Sequence, residues 1–134
     1  MAELALHHVS VIVHEVDRAA AFYENVLGFR RITRPPFSIP GIWYGLGALQ
    51  VHITQHPPGN FRSKPVDNDD VHFALRTSNF DASLAGLEAK GYSADLPPEN
   101  NKRLIVKKTG LAGFPQIFLT DPDWNIIEIN QAPV

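Results

Sequence analysis

Two stretches of the chain carry the same alternation. In Gly47-Ala48-Leu49-Gln50-Val51-His52-Ile53 the odd positions 49, 51 and 53 are apolar, and in Trp124-Asn125-Ile126-Ile127-Glu128-Ile129-Asn130 so are 127 and 129. Side chains alternate between faces along a strand, so each stretch has one greasy and one polar face. On this pattern Gln50 and His52 fill the slots that Glu128 and Asn130 fill later. A further pair repeats: His8 opens Val9-Ser10-Val11-Ile12-Val13, and His72 opens Phe73-Ala74-Leu75-Arg76-Thr77. Polar residues on one strand face ordinarily mark a sheet face turned to water. Two His, one Gln and one Glu at equivalent places in two repeats ask for more than that.

The elements follow from the same patterning. Residues 4–13 read as a strand, and Asp17 reads as the cap of a helix over 18–27 that Gly28 ends. Residues 29–33 begin another strand, Arg34-Pro35-Pro36 and Pro40-Gly41 bracket a loop, and 42–46 with 49–54 form a two-strand meander. Residues 56–70, from His56-Pro57-Pro58-Gly59-Asn60 to Asp70, are turn-rich and polar and read as a linker between modules. Residues 71–77 are again a strand. Ser78 or Asn79 caps a helix to Lys90, with Gly91 after it. Short strands are expected at 92–95 and 104–106. Residues 114–119 and 125–130 close a meander around Asp121-Pro122-Asp123-Trp124.

Self-comparison makes the repeat explicit. His8 maps to His72 and Asp17 to Asp81 at an offset of 64, and Gly28-Phe29 maps to Gly91-Tyr92 at 63. Strand–helix–three strands thus occurs twice, which predicts an α+β fold of two repeated βαβββ modules, about 4–55 and about 70–130, within a single domain, 1–134. Neither module can bury its sheet alone, so the sheets must pack against each other or against a partner subunit.

Composition narrows the function. A chain of 134 residues with 44% hydrophobic and 19% charged residues suits one globular domain. A formal charge of −2 and a pI near 6.3 favour neither nucleic acid nor an anionic membrane as partner. With no cysteine, thiolate chemistry and disulfides are excluded. The N-terminal stretch has no basic segment before a long apolar run, and no stretch approaches the roughly 20 apolar residues of a membrane span, so a cytoplasmic protein is expected.

His8, Gln50, His72 and Glu128 all sit on strands whose other face is apolar. If the helices cover the apolar faces, the polar ones line a cleft. Two imidazoles, an amide oxygen and a carboxylate suit a divalent transition metal, Zn, Ni, Co, Fe or Mn, which acts as a Lewis acid on a substrate oxygen. His52 lies on the face of Gln50, about 6–7 Å further along the strand, as a base beside the ligands or as polar lining. Arg76, four residues past His72 on the same face, is the repeat counterpart of Ile12. It is a candidate substrate-binding group for an anion, or one half of a surface ion pair.

His8-Val9, then Phe22-Tyr23-x-x-Val26-Leu27-Gly28-Phe29, then Asp121-Pro122-Asp123 and Ile127-Glu128-Ile129, in that order, resemble the glyoxalase/bleomycin-resistance/dioxygenase family, the vicinal oxygen chelate superfamily. The resemblance runs from about residue 6 to residue 130. It implies paired βαβββ modules with curled mixed sheets around a metal-containing cleft, and metal ligands at His8, Gln50, His72 and Glu128. By resemblance the activity is isomerase, epimerase or lyase chemistry on a small molecule with vicinal oxygens, through a metal-bound enediolate, with Glu128 as the catalytic proton carrier. The family also holds non-catalytic antibiotic-binding proteins and extradiol dioxygenases, and it commonly forms homodimers. Three departures matter. Glyoxalase I typically has an acidic residue where Gln50 stands and an arginine for glutathione where Ile12 stands, whereas methylmalonyl-CoA epimerase has a Gln-type ligand. Trp124 replaces the usual glycine of the Asp-Pro-Asp-Gly turn. Loops at 34–41, 56–69 and 96–103 are expected to shape the cleft mouth.

Overall fold

The valine alternation after His8 builds one edge of a four-stranded sheet. A computed structural model describes residues 1–56 and 58–134; of the linker expected at 56–70, Pro57 lies outside the described residues. The chain divides into two compact units, Met1–Phe61 and Arg62–Val134. Each repeats strand–helix–three strands, so the α+β fold of two βαβββ modules is present.

Unit 1 comprises β1 (His8–Val13), α1 (Val16–Asn25), β2 (Arg30–Ile32), β3 (Gly41–Leu46) and β4 (Leu49–Gln55). The sheet order is β1-β4-β3-β2, with β1 parallel to β4 and the other neighbours antiparallel. Val11, Val13, Ile42, Tyr44, Val51 and Ile53 are buried on one face, and α1 buries Ala19, Ala20, Phe22 and Tyr23. The Tyr23 and Tyr44 rings lie 6.0 Å apart, with the Phe29 ring 5.6 Å from each. The Tyr44 hydroxyl donates to Glu24 Oε2 at 2.9 Å, the oxygen that also receives Arg31. Burial, then this bond, pushes the Tyr44 phenol above its ordinary range.

Two expectations shift here. Strand β1 starts at His8, not at residue 4, because its parallel partner β4 begins only at Leu49; Leu4 and Leu6 are exposed. Glu15, not Asp17, caps α1. Residue 15 is extended, and its longer carboxylate reaches forward to accept from the Asp17 and Arg18 backbone N–H groups at 2.9 and 2.8 Å.

Unit 2 comprises β5 (His72–Arg76), α2 (Phe80–Glu88), β6 (Ile105–Lys107), β7 (Gln116–Thr120) and β8 (Ile126–Asn130), in sheet order β5-β8-β7-β6. Ile117, Leu119, Ile127 and Ile129 are buried along one face. Asn79 caps α2 by accepting from Ala82 N–H at 3.0 Å, and Phe80 N–H donates to the Gln131 side chain at 2.7 Å, tying the helix start to the chain after β8. The strand expected at 92–95 is reduced to one bridge, Ser93 to Arg103. Among the described residues, no helix is long and apolar enough to cross a membrane.

The ladders correct the repeat alignment. His8 stands opposite Gln50 and Ser10 opposite His52, whereas His72 stands opposite Ile126 and Ala74 opposite Glu128. The antiparallel ladders agree: Trp43 faces His52 and Phe118 faces Glu128. His52, not Gln50, is therefore the counterpart of Glu128; Thr54 is the counterpart of Asn130, and Gln50 that of Ile126. A shift of two residues leaves an alternating pattern unchanged, so the pattern alone could not detect it.

Candidate functional site

In unit 1 the polar face is organised by His52. Its imidazole is 8% exposed and lies flat between two rings: Trp43 at 4.1 Å and 4°, and His8 at 4.0 Å and 16°. His52 Nε2 is 2.8 Å from Gln50 Oε1. An amide oxygen only accepts, so Nε2 carries the proton and Nδ1 presents its lone pair. Burial, then the charges of His8, His7 and Arg34, lower the His52 pKa and hold the ring neutral, the form that ligates a metal. His8 is exposed, and its Nδ1 lies 2.9 Å from His7 Nδ1, which leaves its Nε2 on the far side of the ring.

In unit 2 the polar face is organised by Glu128, at 6% exposure. Gln116 Nε2 donates to its Oε1, and Asn130 Nδ2 donates to its Oε2 at 3.2 Å. Among the described residues no Lys, Arg or His pairs with it, so a buried carboxylate is met only by neutral amides, an arrangement that suits a cation. His72 belongs to the same face. Its Nδ1 lies 2.8 Å from the Asp70 carbonyl oxygen, which can only accept, so Nδ1 carries the proton and Nε2 is the free donor atom. A metal-bound histidine is fixed in the same way, by donating its other N–H to a carbonyl. The His72 ring meets Phe118 edge-on at 5.4 Å. Arg76 is exposed and has no carboxylate partner among the described residues.

The structure thus groups His8, Gln50 and His52 in unit 1, and places His72 and Glu128 on one face of unit 2. Among the described residues, no three His, Asp or Glu side chains are grouped so as to hold a metal ion. The ring nitrogens of His8, His52 and His72 and the Glu128 carboxylate, met only by amides, nonetheless fit a divalent transition metal. Sequence reasoning missed Gln116 and Asn130 as the donors to Glu128. Asn130 was recoverable, since i and i+2 on a strand share a face. Gln116 required the β7–β8 register.

The family model of the Glyoxalase/Bleomycin resistance protein/Dioxygenase superfamily matches residues 5–129. The chain belongs to this superfamily. Its relatives include Glyoxylase I 4 of Arabidopsis thaliana, 30% identical over 128 residues that span 93% of this chain and 69% of the relative. Mitochondrial methylmalonyl-CoA epimerase of Homo sapiens is 28% identical over 138 residues, 95% of this chain and 73% of the relative. Among solved structures, a Bacillus anthracis protein assigned to the glyoxalase family superposes with a TM-score of 0.77 at 20% identity, covering 99% of this chain and 98% of that one. The βαβββ repeat is accordingly the superfamily fold.

Proposed function

We propose that the chain is a metal-dependent enzyme of the glyoxalase-like type that moves a proton beside a carbonyl of a small molecule with vicinal oxygens, as an isomerase, epimerase or lyase. Glu128 is the observation that supports this most. A carboxylate so buried, held only by two amides, is costly to fold unless a cation or a reacting proton uses its charge.

The donors are assigned unit by unit. In unit 2 the proposed donors are His72 and Glu128; in unit 1 they are His8 and, by register, His52, with Gln50 holding its N–H. When bound, a divalent ion of the Zn, Ni, Co, Fe or Mn class supplies Lewis-acid polarisation of the substrate carbonyl. The protein does the rest. Gln50 and the Asp70 carbonyl fix the tautomers of His52 and His72, Trp43 shields one face of His52 from water, and Glu128 accepts the proton and returns it. Each carboxylate oxygen has more than one lone-pair site, so the amides from Gln116 and Asn130 orient the group and still leave lone pairs for a cation or a proton. The working form is proposed to be a homodimer, which light scattering reads directly.

Elemental analysis of untagged protein tests the reading. Near-stoichiometric transition metal is expected, lost in His8→Ala and in His72→Ala. Equal metal content in the wild type and both variants removes the assignment. Metal-free protein of unaltered fold points to ligand sequestration of the bleomycin-resistance type instead.

The same reading sets a limit on substrate. Ile12 offers no cation to a glutathione carboxylate, and His52, which the register sets in the place of a second carboxylate, brings no negative charge. Turnover of the methylglyoxal–glutathione hemithioacetal should fall well below a kcat/KM of roughly 10⁶ M⁻¹s⁻¹, in the range of efficient enzymes. Steady-state assay of metal-loaded protein checks this, and a value above that figure refutes it.

A further inference from the structure

Arg34 of unit 1 is given no donor or proton-carrying role above. It follows β2, and the β2–β3 ladder, in which Ile32 faces Trp43, sets it opposite Gly41 when continued by two residues. The guanidinium lies where a side chain at 41 would otherwise project. A Cβ on Gly41 would meet Arg34 Nη2 at 2.8 Å and Cζ at 2.9 Å, and the Ile53 carbonyl oxygen at 2.5 Å. Two further contacts pin the group: Nη2 donates to the Ile39 carbonyl at 2.8 Å, and Cζ sits 5.0 Å from the centre of the Phe37 ring, which lies 6.1 Å from Trp43.

What remains of the guanidinium is unpaired. Nε is buried without a hydrogen-bond partner, and no carboxylate pairs with Arg34 among the described residues. A guanidinium keeps its charge at any working pH and presents its donors in a rigid fork that matches carboxylate and phosphate oxygens. Buried polar groups are ordinarily satisfied, so a pinned, partly sequestered cation with spare donors calls for an anion from outside the chain. Unit 2 gives the contrast. There Lys107 faces Gln116, the repeat counterpart of Gly41, and Gln116 spends its amide on Glu128. Glycine in one repeat opens room for a cation, and glutamine in the other holds the carboxylate.

We propose that Arg34 is a specificity-determining residue that binds an anionic oxygen group, carboxylate or phosphate, of the substrate, with the stacked Trp43 and His52 rings beside it. The identity of that molecule as the substrate rests on the function proposed above; the binding of the anion does not, because Arg34 needs no metal to make it.

The test uses the whole chain, dialysed free of metal. The Arg34 Nε–Hε resonance, assigned through bonds in a ¹H–¹⁵N spectrum, is followed on addition of glycolate, inorganic phosphate and, as the uncharged control, ethylene glycol. A saturable shift with at least one anion and none with ethylene glycol is expected. Which anion saturates at the lower concentration decides between carboxylate and phosphate. Arg34→Met should weaken that binding about tenfold or more. An unmoved resonance, saturation by neither anion, or undiminished affinity in a folded Arg34→Met variant overturns the proposal; should that variant fail to fold, the wild-type resonance decides alone. With metal absent throughout, failure here beside full metal content in the elemental analysis removes only the Arg34 assignment. A saturating Arg34 resonance in a protein that binds no metal removes only the metal reading.

Discussion

His52→Ala should weaken metal binding by more than about 100-fold, whereas Gln50→Ala should cost nearer tenfold. The difference follows from where the two side chains stand. In the parallel ladders His52 faces Ser10 as Glu128 faces Ala74, so His52 holds in its module the position that Glu128 holds in the other. It is neutral, its Nδ1 lone pair is not spent on the amide, and the flanking Trp43 and His8 rings restrict its rotation. Gln50 accepts the His52 N–H. Partners that orient a ligand in this way typically change metal affinity by about 10–100-fold when removed, less than the ligand itself. Loss of the two ring stacks in His52→Ala costs about 0.5–1.5 kcal/mol each, too little to unfold the unit and mimic the result. Competition against a chelating dye at fixed pH reads both variants. The reverse ranking, with Gln50→Ala the more damaging, would restore the alignment that the hydrophobic pattern alone suggests.

That alignment shows where the sequence stops speaking. Strands β3 and β4 were legible to within a residue or two because Ile42, Tyr44, Val51 and Ile53 alternate without interruption. His8 and His72 were legible as equivalents because each opens its module sixty-four residues from the other. The same alternation hid the register. Sliding β4 by two residues against β8 keeps every apolar side chain on the correct face, and only the ladders reveal the slip. The connections differ: Gly47 and Ala48 alone separate β3 from β4, while five residues, 121–125, separate β7 from β8. Nothing in the pattern states how far each turn advances its strand. The cap at Glu15 escaped because Asp17 is the better cap by type, and the choice was made by the reach of a side chain from an extended residue. Gln116 and Arg34 escaped for a shared reason. Gln116 acts on Glu128 of the neighbouring strand, Arg34 on the room left by Gly41, and neither partner is a neighbour in sequence.

Asp121→Ala should destabilise the protein by about 3 kcal/mol or more, among the largest effects available from one surface-distant polar side chain. Asp121 is 0% exposed. Its Oδ1 accepts from the backbone N–H of Asp123 at 2.8 Å and of Asn125 at 2.9 Å, and its Oδ2 accepts from Asn125 Nδ2 at 2.9 Å. The carboxylate thus closes the β7–β8 connection upon itself. That connection includes Trp124 at φ 66°, a left-handed conformation that costs a residue with a Cβ about 1–2 kcal/mol. The strain persists because the surrounding bonds over-determine it: Trp124 N–H donates to the Asp121 carbonyl at 3.1 Å, and its own carbonyl accepts from Arg62 Nε at 3.0 Å. Alanine at 121 would leave three donors without their acceptor in a buried loop, each costing about 1–3 kcal/mol, partly offset because a charge no longer has to be desolvated. Asp121→Asn keeps one oxygen and should fall between. For a chain of this size the alanine variant should melt roughly 10 °C lower. Metal affinity should fall with it, since the same connection delivers β8 and Glu128 in register opposite Ala74. Thermal denaturation followed by circular dichroism gives the answer, and a melting temperature within about 2 °C of wild type would show that backbone bonds alone hold the turn.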